Sequence, residues 1–205
     1  MNRHIGRQIV LGSALVLAVG AALVRAQAPL AIDSARITIS GTSNIHAYTA
    51  ATTTVRVRRA QVAAPAEGED AWTSALKPGG VELFEIAIPA ATLSSPREGL
   101  DANMHKALLV TEHPDIVFRL LRFEPRPGPA GSLRAIGNLK IAGVVREVAI
   151  DVTTTRTNGT LGVKGQVQLL MTDFGIKPPV ALMGMLKTDP KVTVSFETVL
   201  TIPLT

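Results

Sequence analysis

Apolar and polar residues alternate along most of the chain after residue 30, and this period of two indicates β-strands. The pattern is clearest after Pro114, where Ile116, Phe118 and Leu120 fall on one face of an extended segment. It predicts strands over residues 32–40, 49–62, 81–89, 115–121, 134–141, 144–155, 163–171 and 192–201. The chain is therefore predicted to be all-β, with about eight strands.

One short helix is predicted in the middle of this pattern, over residues 101–110. Met104 and Leu108 are separated by one helical turn, and Asp101 precedes them with a side chain suited to an N-cap. The His113-Pro114 pair ends the helical segment, because proline disfavours helical backbone in the residue before it. His113 is interpreted as a residue at the C-terminal end of the helix, where the dipole favours it.

Glycine and proline mark the connections. Asn158-Gly159 is the strongest hairpin signal, because both residues tolerate the positive φ angles of a type I′ turn. Ala142-Gly143 separates another predicted pair of strands. Residues 63–80 and 172–190 lack any period and are predicted to be irregular. Trp72, inside the first of these segments, is interpreted as an anchor that fixes the loop to the wall of the barrel that these strands are predicted below to form.

Eight strands with hairpin connections favour a closed antiparallel barrel, because closure removes the sheet edges. The single helix would plug or cover this barrel. Period-two geometry directs one set of apolar side chains of the strands into the interior, and these, together with Met104 and Leu108 of the helix, are the candidate ligand-binding residues. The candidates are Phe84, Ile86, Met104, Leu108, Ile116, Phe118, Leu120, Val148, Ile150, Val152, Val163, Val167, Leu169, Val192, Val194 and Phe196.

The composition of this predicted wall favours a long, flexible ligand. Aromatic residues make up only 3% of the chain, so the wall consists mainly of Val, Ile, Leu and Ala. Such side chains offer area for burying a hydrocarbon chain without shape-specific partners. The same residues could instead fill a solid core, since a barrel of eight strands either is filled or holds one small ligand.

The N-terminal residues predict export. Arg3 and Arg7 precede an apolar run over residues 9–24, and the pattern is that of a secretory signal peptide cleaved between Ala26 and Gln27. The leader carries three arginines and no acidic residue, so the net charge of +5 falls to 5 − 3 = +2, which does not suggest nucleic-acid binding. Residues 27–205 would then form one periplasmic or secreted domain with no transmembrane segment. The absence of cysteine excludes disulfides and thiolate metal sites.

Four sequence blocks, taken in order, resemble the YceI-like family. They are residues 41–46 (GTSNIH), 100–118, 137–148 (GNLKIAGVVREV) and the late motif 171–176 (MTDFGI). The resemblance extends over residues 31–203, while residues 65–80 look inserted. It implies a periplasmic lipocalin-like barrel that binds a polyisoprenoid chain in an apolar tunnel, without catalysis and with no cofactor beyond the bound lipid.

Two alternatives come from other classes of protein. The chain has no Gly-x-Ser-x-Gly motif, but His46 or His105 could serve a small envelope enzyme or, with Asp101, a metal site. A structural barrel could instead bind a protein partner through the face that carries Arg56 and Arg58. The sequence also leaves a homodimer open.

Overall fold

Ten strands and two short α-helices follow one another in residues 30–181 and 185–202, which are the residues described in the computed structural model. The strands are β1 (Ala31–Ser43), β2 (Ala47–Thr52), β3 (Arg56–Val62), β4 (Val81–Pro89), β5 (Asp115–Pro125), β6 (Ser132–Ile141), β7 (Val144–Thr157), β8 (Thr160–Leu170), β9 (Val180–Ala181) and β10 (Leu186–Thr201). The helices are α1 (Ala71–Ala75) and α2 (Glu98–Ala107), and Ala90–Thr92 and Met171–Phe174 form 3-10 turns. The predicted signal peptide lies outside the described residues.

Nine of the strands form one antiparallel sheet in the order β2-β1-β10-β8-β7-β6-β5-β4-β3, and β9 pairs with β10. The sheet is curled into a half-barrel. Its two edges are β2 and β3, which are consecutive in the chain but stand at opposite ends of the strand order. The all-β prediction is confirmed, whereas the prediction of a closed eight-stranded barrel is wrong.

The difference arises at residues 53–55, inside what the sequence predicted as one long strand over residues 49–62. The Thr52 hydroxyl accepts a hydrogen bond from the Thr54 backbone N–H at 3.0 Å, and such local side-chain bonds compete with strand pairing. The chain therefore turns and feeds β3 to the opposite edge. The segment after β4 crosses this gap, where Ala51 and Ser94 exchange two backbone hydrogen bonds of 2.8 and 3.0 Å.

The two hairpins predicted from glycine-containing dipeptides are confirmed. Ala142 and Gly143 have φ angles of 46° and 83°, and Asn158 and Gly159 have φ angles of 47° and 80°. Two successive residues with positive φ match the type I′ turn that joins tightly paired strands. These two-residue turns connect β6 to β7 and β7 to β8, and the residues on either side of each turn are paired directly.

Helix α2 lies near the predicted position, but it begins and ends three residues earlier. Asp101 does not cap it: the carboxylate accepts a hydrogen bond from the Ser95 backbone N–H at 2.8 Å, and the N-cap position is Arg97. His113 therefore lies beyond the helix, since its N–H donates to the carbonyl of Leu109 in a following turn. Its ring lies over Gly143 of the β6–β7 turn.

The two segments predicted to be irregular contain short regular elements. Residues 63–80 include α1, whose N-cap is Asp70, so the prediction of a single helix is wrong. Residues 172–190 include most of a 3-10 turn, β9 and the first residues of β10. Pro190 is tolerated in β10 because it falls where the register with β1 is irregular, so no regular ladder bond is lost there.

Three apolar clusters lie inside the curled sheet. The first surrounds Leu93, Ile116 and Phe174 next to α2, and the second surrounds Trp72 and Leu161 next to α1. The third consists of Ala135, Ile150 and Val152 on β6 and β7. The two helices thus pack against the apolar interior at separate clusters.

Candidate functional site

The interior of the half-barrel contains an inner chamber of about 200 Å³. The residues that line it carry apolar side chains, apart from Thr154, Glu197 and Thr198. They come mainly from β1, from β4 to β8 and from β10, because alternate residues of each strand point inward. Trp72 and Ala75 of α1 line the same chamber. A chamber of this composition favours apolar over polar ligands.

An outer chamber of about 450 Å³ lies next to α2 and the 3-10 turn at Met171–Phe174. Its apolar wall includes Met104 and Leu108 of α2, and its polar lining includes His46, Arg97 and Thr188. Arg97 is exposed to solvent, so this chamber reaches the protein surface. The polar groups are thus at the outer end of an otherwise apolar space.

The two chambers meet inside the sheet, because they share wall residues. The shared residues are Ile39, Ile116, Ile141, Leu169 and Val194. Along β10, Leu200 lines the inner chamber and Val192 the outer one, and the rise of an antiparallel strand separates these residues by roughly 27 Å. Together the chambers fall within the range of small-molecule sites, roughly 300–1,000 Å³.

All but one of the sixteen candidate residues line these chambers. The inner chamber is lined by Phe84, Ile86, Ile116, Phe118, Leu120, Ile150, Val152, Val163, Val167, Leu169, Val194 and Phe196. The outer chamber is lined by Met104, Leu108 and Val192, together with the shared Ile116, Leu169 and Val194. Val148 is the exception, since it packs against the first and third clusters without lining either chamber. Their ligand-binding role stays a prediction.

Several inward-facing side chains are only partly buried. Val167, Val194 and Phe196 point into the chamber from central strands, yet none of them belongs to the fully buried core. In a solid core such side chains would be surrounded by neighbours on all sides. The partial burial therefore shows that these residues border open space.

The sequence missed the contribution of α1 to the cavity. Trp72 is only 5% exposed, and its indole N–H donates to the carbonyl of Gly159 at 2.7 Å, which ties α1 to the β7–β8 hairpin. The prediction that Trp72 anchors its loop is therefore confirmed. Trp72 and Ala75 of this helix also line the inner chamber. The one local signal in the sequence, a possible cap at Asp70 three residues before Thr73, did not indicate this.

Inward-facing residues of β1 and the segment after β4 were also missed. Ile37 and Ile39 of β1 line the inner chamber, as does Leu93, which is only 1% exposed. The alternation in β1 carried the signal for the first two. Leu93 gave none, because it follows a 3-10 turn whose bounds the sequence does not mark.

The polar side chains that line the outer chamber include Arg97, His46 and Tyr48. An Arg97 guanidinium nitrogen lies 2.7 Å from His46 Nε2, so the imidazole accepts this hydrogen bond in its neutral form. The Tyr48 hydroxyl is buried and has no hydrogen-bond partner among the described residues. Burial and, secondarily, the negative charge of Asp189 raise the pKa of Tyr48. Its hydroxyl is therefore neutral at physiological pH.

The histidines have separate surroundings. His105 Nε2 lies 2.9 Å from the carbonyl oxygen of Leu93, while His46 contacts Arg97 and Asp101 accepts from Ser95. Within residues 30–181 and 185–202, no three His, Asp or Glu side chains are placed to hold a metal ion together. The trio of His46, His105 and Asp101 that the sequence left open is therefore not assembled.

The arginine face of β3 is partly neutralised. Arg58 forms an ion pair of 2.7 Å with Asp115 of β5, and a second, longer contact of 4.0 Å with Glu85 of β4. These pairs cross the outer surface of the sheet edge. Exposed pairs of this kind are typically worth about 0–1 kcal/mol.

The described residues thus form a half-barrel sheet around a nearly all-apolar internal cavity. The YceI-like domain family matches residues 30–200, and the chain belongs to this family. Members of the family are generally binding proteins rather than enzymes. None of the curated protein sequences matches the chain significantly.

Solved structures with the same fold are distant in sequence. BcnA of Burkholderia cenocepacia is 14% identical, with a TM-score of 0.63 over 82% of this chain and 99% of its own. A polyisoprenoid binding domain from Saccharophagus degradans, implicated in plant cell wall breakdown, is 11% identical, with a TM-score of 0.62 over 86% and 99% of the two chains. A YCEI protein of Campylobacter jejuni is 13% identical, with a TM-score of 0.51 over 71% and 82%. Among the described residues, no helix is long and apolar enough to cross a membrane.

Proposed function

We propose that the chain binds a polyisoprenoid or a similar long-chain lipid in its two joined chambers. The observation that carries the proposal is the inner chamber, whose lining is apolar except for Thr154, Glu197 and Thr198. Burying several hundred Å² of hydrocarbon at about 25 cal/mol per Å² yields several kcal/mol of binding free energy, even after the cost of association. The structural likeness to a domain described as polyisoprenoid binding supports the choice of ligand class.

The arrangement of the chambers orients such a ligand. The hydrocarbon would extend from Met104 and Leu108 at α2 toward Trp72 at α1. A polar end group would remain at the outer chamber, near His46 and Arg97, because burying it in the inner chamber would cost its hydration. The lipid is then held by burial, with no covalent step.

Export belongs to the same proposal. The leader over residues 1–26 has the composition of a signal peptide, so the proposal places lipid binding in the periplasm. The expected mature N-terminus is Gln27, in the soluble periplasmic fraction. N-terminal sequencing of protein from fractionated cells checks this, and an intact Met1 in the membrane fraction would contradict it.

Trp72 offers a direct test of ligand entry. It is the only tryptophan of the chain and lines the inner chamber, so a ligand that enters should change its fluorescence. Titrating lipid-stripped protein with undecaprenol, whose chain is long enough to need the inner chamber, should give a saturable change at one ligand per chain. Trp72→Phe should abolish the signal while calorimetry still detects binding.

The absence of any saturable change, together with no heat of binding, would contradict the proposal. The metal-dependent or enzymatic alternative has less support than lipid binding, because His46 and His105 contact different partners. The partner-binding alternative rests on Arg56 and Arg58, and Arg58 is already paired with Asp115.

A further inference from the structure

Two aromatic rings in the cavity wall lie directly over glycines of neighbouring strands. Gly165 of β8 is paired with Phe196 of β10, and a Cβ atom built on Gly165 would lie 2.7 Å from Cζ and 2.9 Å from Cε1 of that ring. Gly137 of β6 is diagonal to Phe118 of β5, and a Cβ there would lie 2.5 Å from Cε2 and Cζ of Phe118. Each ring therefore occupies the space that a side chain would otherwise fill.

Both rings border the same part of the cavity. Phe118 and Phe196 line the inner chamber, and both pack against the first cluster as well as the third. They thus stand between the α2 side of the interior and the cluster around Ile150. We call the part of the inner chamber that these two rings line the passage.

We propose that Gly165 and Gly137 are specificity-determining positions that set the width of the passage, and hence the length of hydrocarbon chain that the cavity admits. This inference rests on the proposed lipid-binding function. By lacking a side chain, each glycine lets a phenylalanine ring lie against the wall instead of across the lumen. The ligands concerned are long prenyl chains, which need the inner chamber, in contrast to short ones, which the outer chamber can hold.

A methyl group at Gly165 would move the ring rather than the strand. β8 is hydrogen-bonded on both sides, where Gly165 is opposite Phe196 on one neighbour and Val152 on the other. The carbonyl oxygen of Asp151, which would lie 3.0 Å from the added Cβ, belongs to the backbone of β7, which is held by its pairing with β8. Carbon atoms in contact prefer separations of 3.5–4.0 Å, so the ring of Phe196 has to shift by about 1 Å toward the lumen.

The matched control lies on the same strand. Gly162 of β8 has ordinary space around it, since the nearest atom to an added Cβ is the carbonyl oxygen of Thr155 at 3.5 Å. It does not line either chamber. Gly162→Ala therefore reproduces the change in backbone propensity of Gly165→Ala without touching a ring.

The test compares lipid-stripped wild type, Gly165→Ala and Gly162→Ala for binding of undecaprenol and geranylgeraniol, with crystal structures of the ligand-free proteins. Gly165→Ala should weaken binding of undecaprenol about tenfold, the usual size of an overpacking effect, while changing that of geranylgeraniol much less. Its structure should show the Phe196 ring displaced into the lumen. Gly162→Ala should match the wild type in all these measurements.

A double variant separates ring displacement from other effects. With Phe196→Leu in place, no ring remains to be moved, so adding Gly165→Ala should cause no further loss of undecaprenol binding. Additive losses, or an unmoved ring with a shifted β8 backbone, would overturn the inference. Wild-type protein that binds neither polyprenol would contradict the proposed function instead. The position of the Phe196 ring in the structure of Gly165→Ala would then test, by itself, whether Gly165 sets the width of the passage.

Discussion

Val167 illustrates how single residues distinguish an open cavity from a filled core. It lies in the centre of β8, faces the inner chamber and is only partly buried, whereas Val62, which lines neither chamber, is almost completely enclosed. An enclosed side chain contributes mainly to stability. A side chain that borders open space contributes contact area to whatever enters, so its replacement should affect binding more than folding.

Val167→Gln tests this distinction. The amide introduced into the chamber should keep water when the protein is empty, so the free energy of unfolding should fall by only about 1 kcal/mol. Bound lipid should be lost, because the amide occupies the path of the hydrocarbon. The measurements are the denaturant midpoint and the lipid content of the purified variant.

Val145→Gln provides the matched control, because Val145 is 50% exposed and lines neither chamber. It should retain both stability and lipid. If Val167→Gln lost about 3 kcal/mol or more, in the range expected for a buried, overpacked amide, the interior would behave as a solid core.

Some residues of the cavity wall can be predicted from a single sequence and others cannot. Period-two alternation was sufficient to find inward-facing positions such as Ile150 and Val152, because each strand has only two faces. It could not identify Gly137 and Gly165 as part of the wall. A glycine carries no hydrophobicity that marks its face, and its importance depends on a ring in a neighbouring strand.

At the scale of elements, α1 depends on a short network of polar contacts. The carboxylate of Asp70 accepts hydrogen bonds from the backbone N–H and the hydroxyl of Thr73, at 2.9 and 3.0 Å, and contacts Arg156 of β7 at 2.7 Å. The hydrogen bonds with Thr73, with a further contribution from Arg156, lower the pKa of Asp70. The helix is therefore best held when this carboxyl is ionised.

The lowered pKa of Asp70 predicts that α1 loosens in acid. Because the pKa in the folded state lies below that in the unfolded state, the contribution to stability is complete above the unfolded pKa and is lost as the pH falls through the folded one. Trp72 should accordingly become more exposed on acidification, and its fluorescence emission should shift to the red. An emission titration against pH records the transition.

Asp70→Asn is the appropriate control, since asparagine also caps helices but does not titrate. The variant should lack the part of the emission change that follows Asp70. Superimposable pH profiles for the wild type and Asp70→Asn would show that α1 is held by the burial of Trp72 alone.

Elements differ in how far the sequence determines them locally. The hairpins at Gly143 and Gly159 follow from two adjacent residues and were predictable. Helix α2 was predictable in existence but not in its start, because Asp101 bonds back to Ser95 instead of capping. Helix α1 has only five residues, too few to show apolar periodicity. Its formation depends on the packing of Trp72 into the second apolar cluster.

At the scale of the whole molecule, the sheet is open between β2 and β3. Strand order and closure depend on which edges meet, and these long-range pairings leave no mark within a local stretch of sequence. The break after Thr52 is a case in point, since it sends β3 to the far edge of the sheet. The prediction of which residues face inward does not depend on closure, because the strands have the same inward and outward faces in a closed barrel and in a half-barrel.

The cavity, the family and the fold of distant relatives together support one account of the whole molecule: an apolar space inside a half-barrel holds a long lipid. The space is lined at one end by Trp72 of α1, which is fixed to Gly159, and at the other by residues next to α2, including the exposed Arg97. This geometry accommodates one extended chain per protein. It therefore predicts stoichiometric binding rather than loose adsorption to an exposed surface.

Native mass spectrometry of the protein, purified without detergent from cells that express the full chain, tests this account most directly. The spectrum should show the mature polypeptide carrying one additional mass, released on activation and identified by fragmentation as a polyisoprenoid or another long-chain lipid. A bare polypeptide mass would contradict the account if the protein, stripped and mixed with undecaprenol, also failed to form a one-to-one complex.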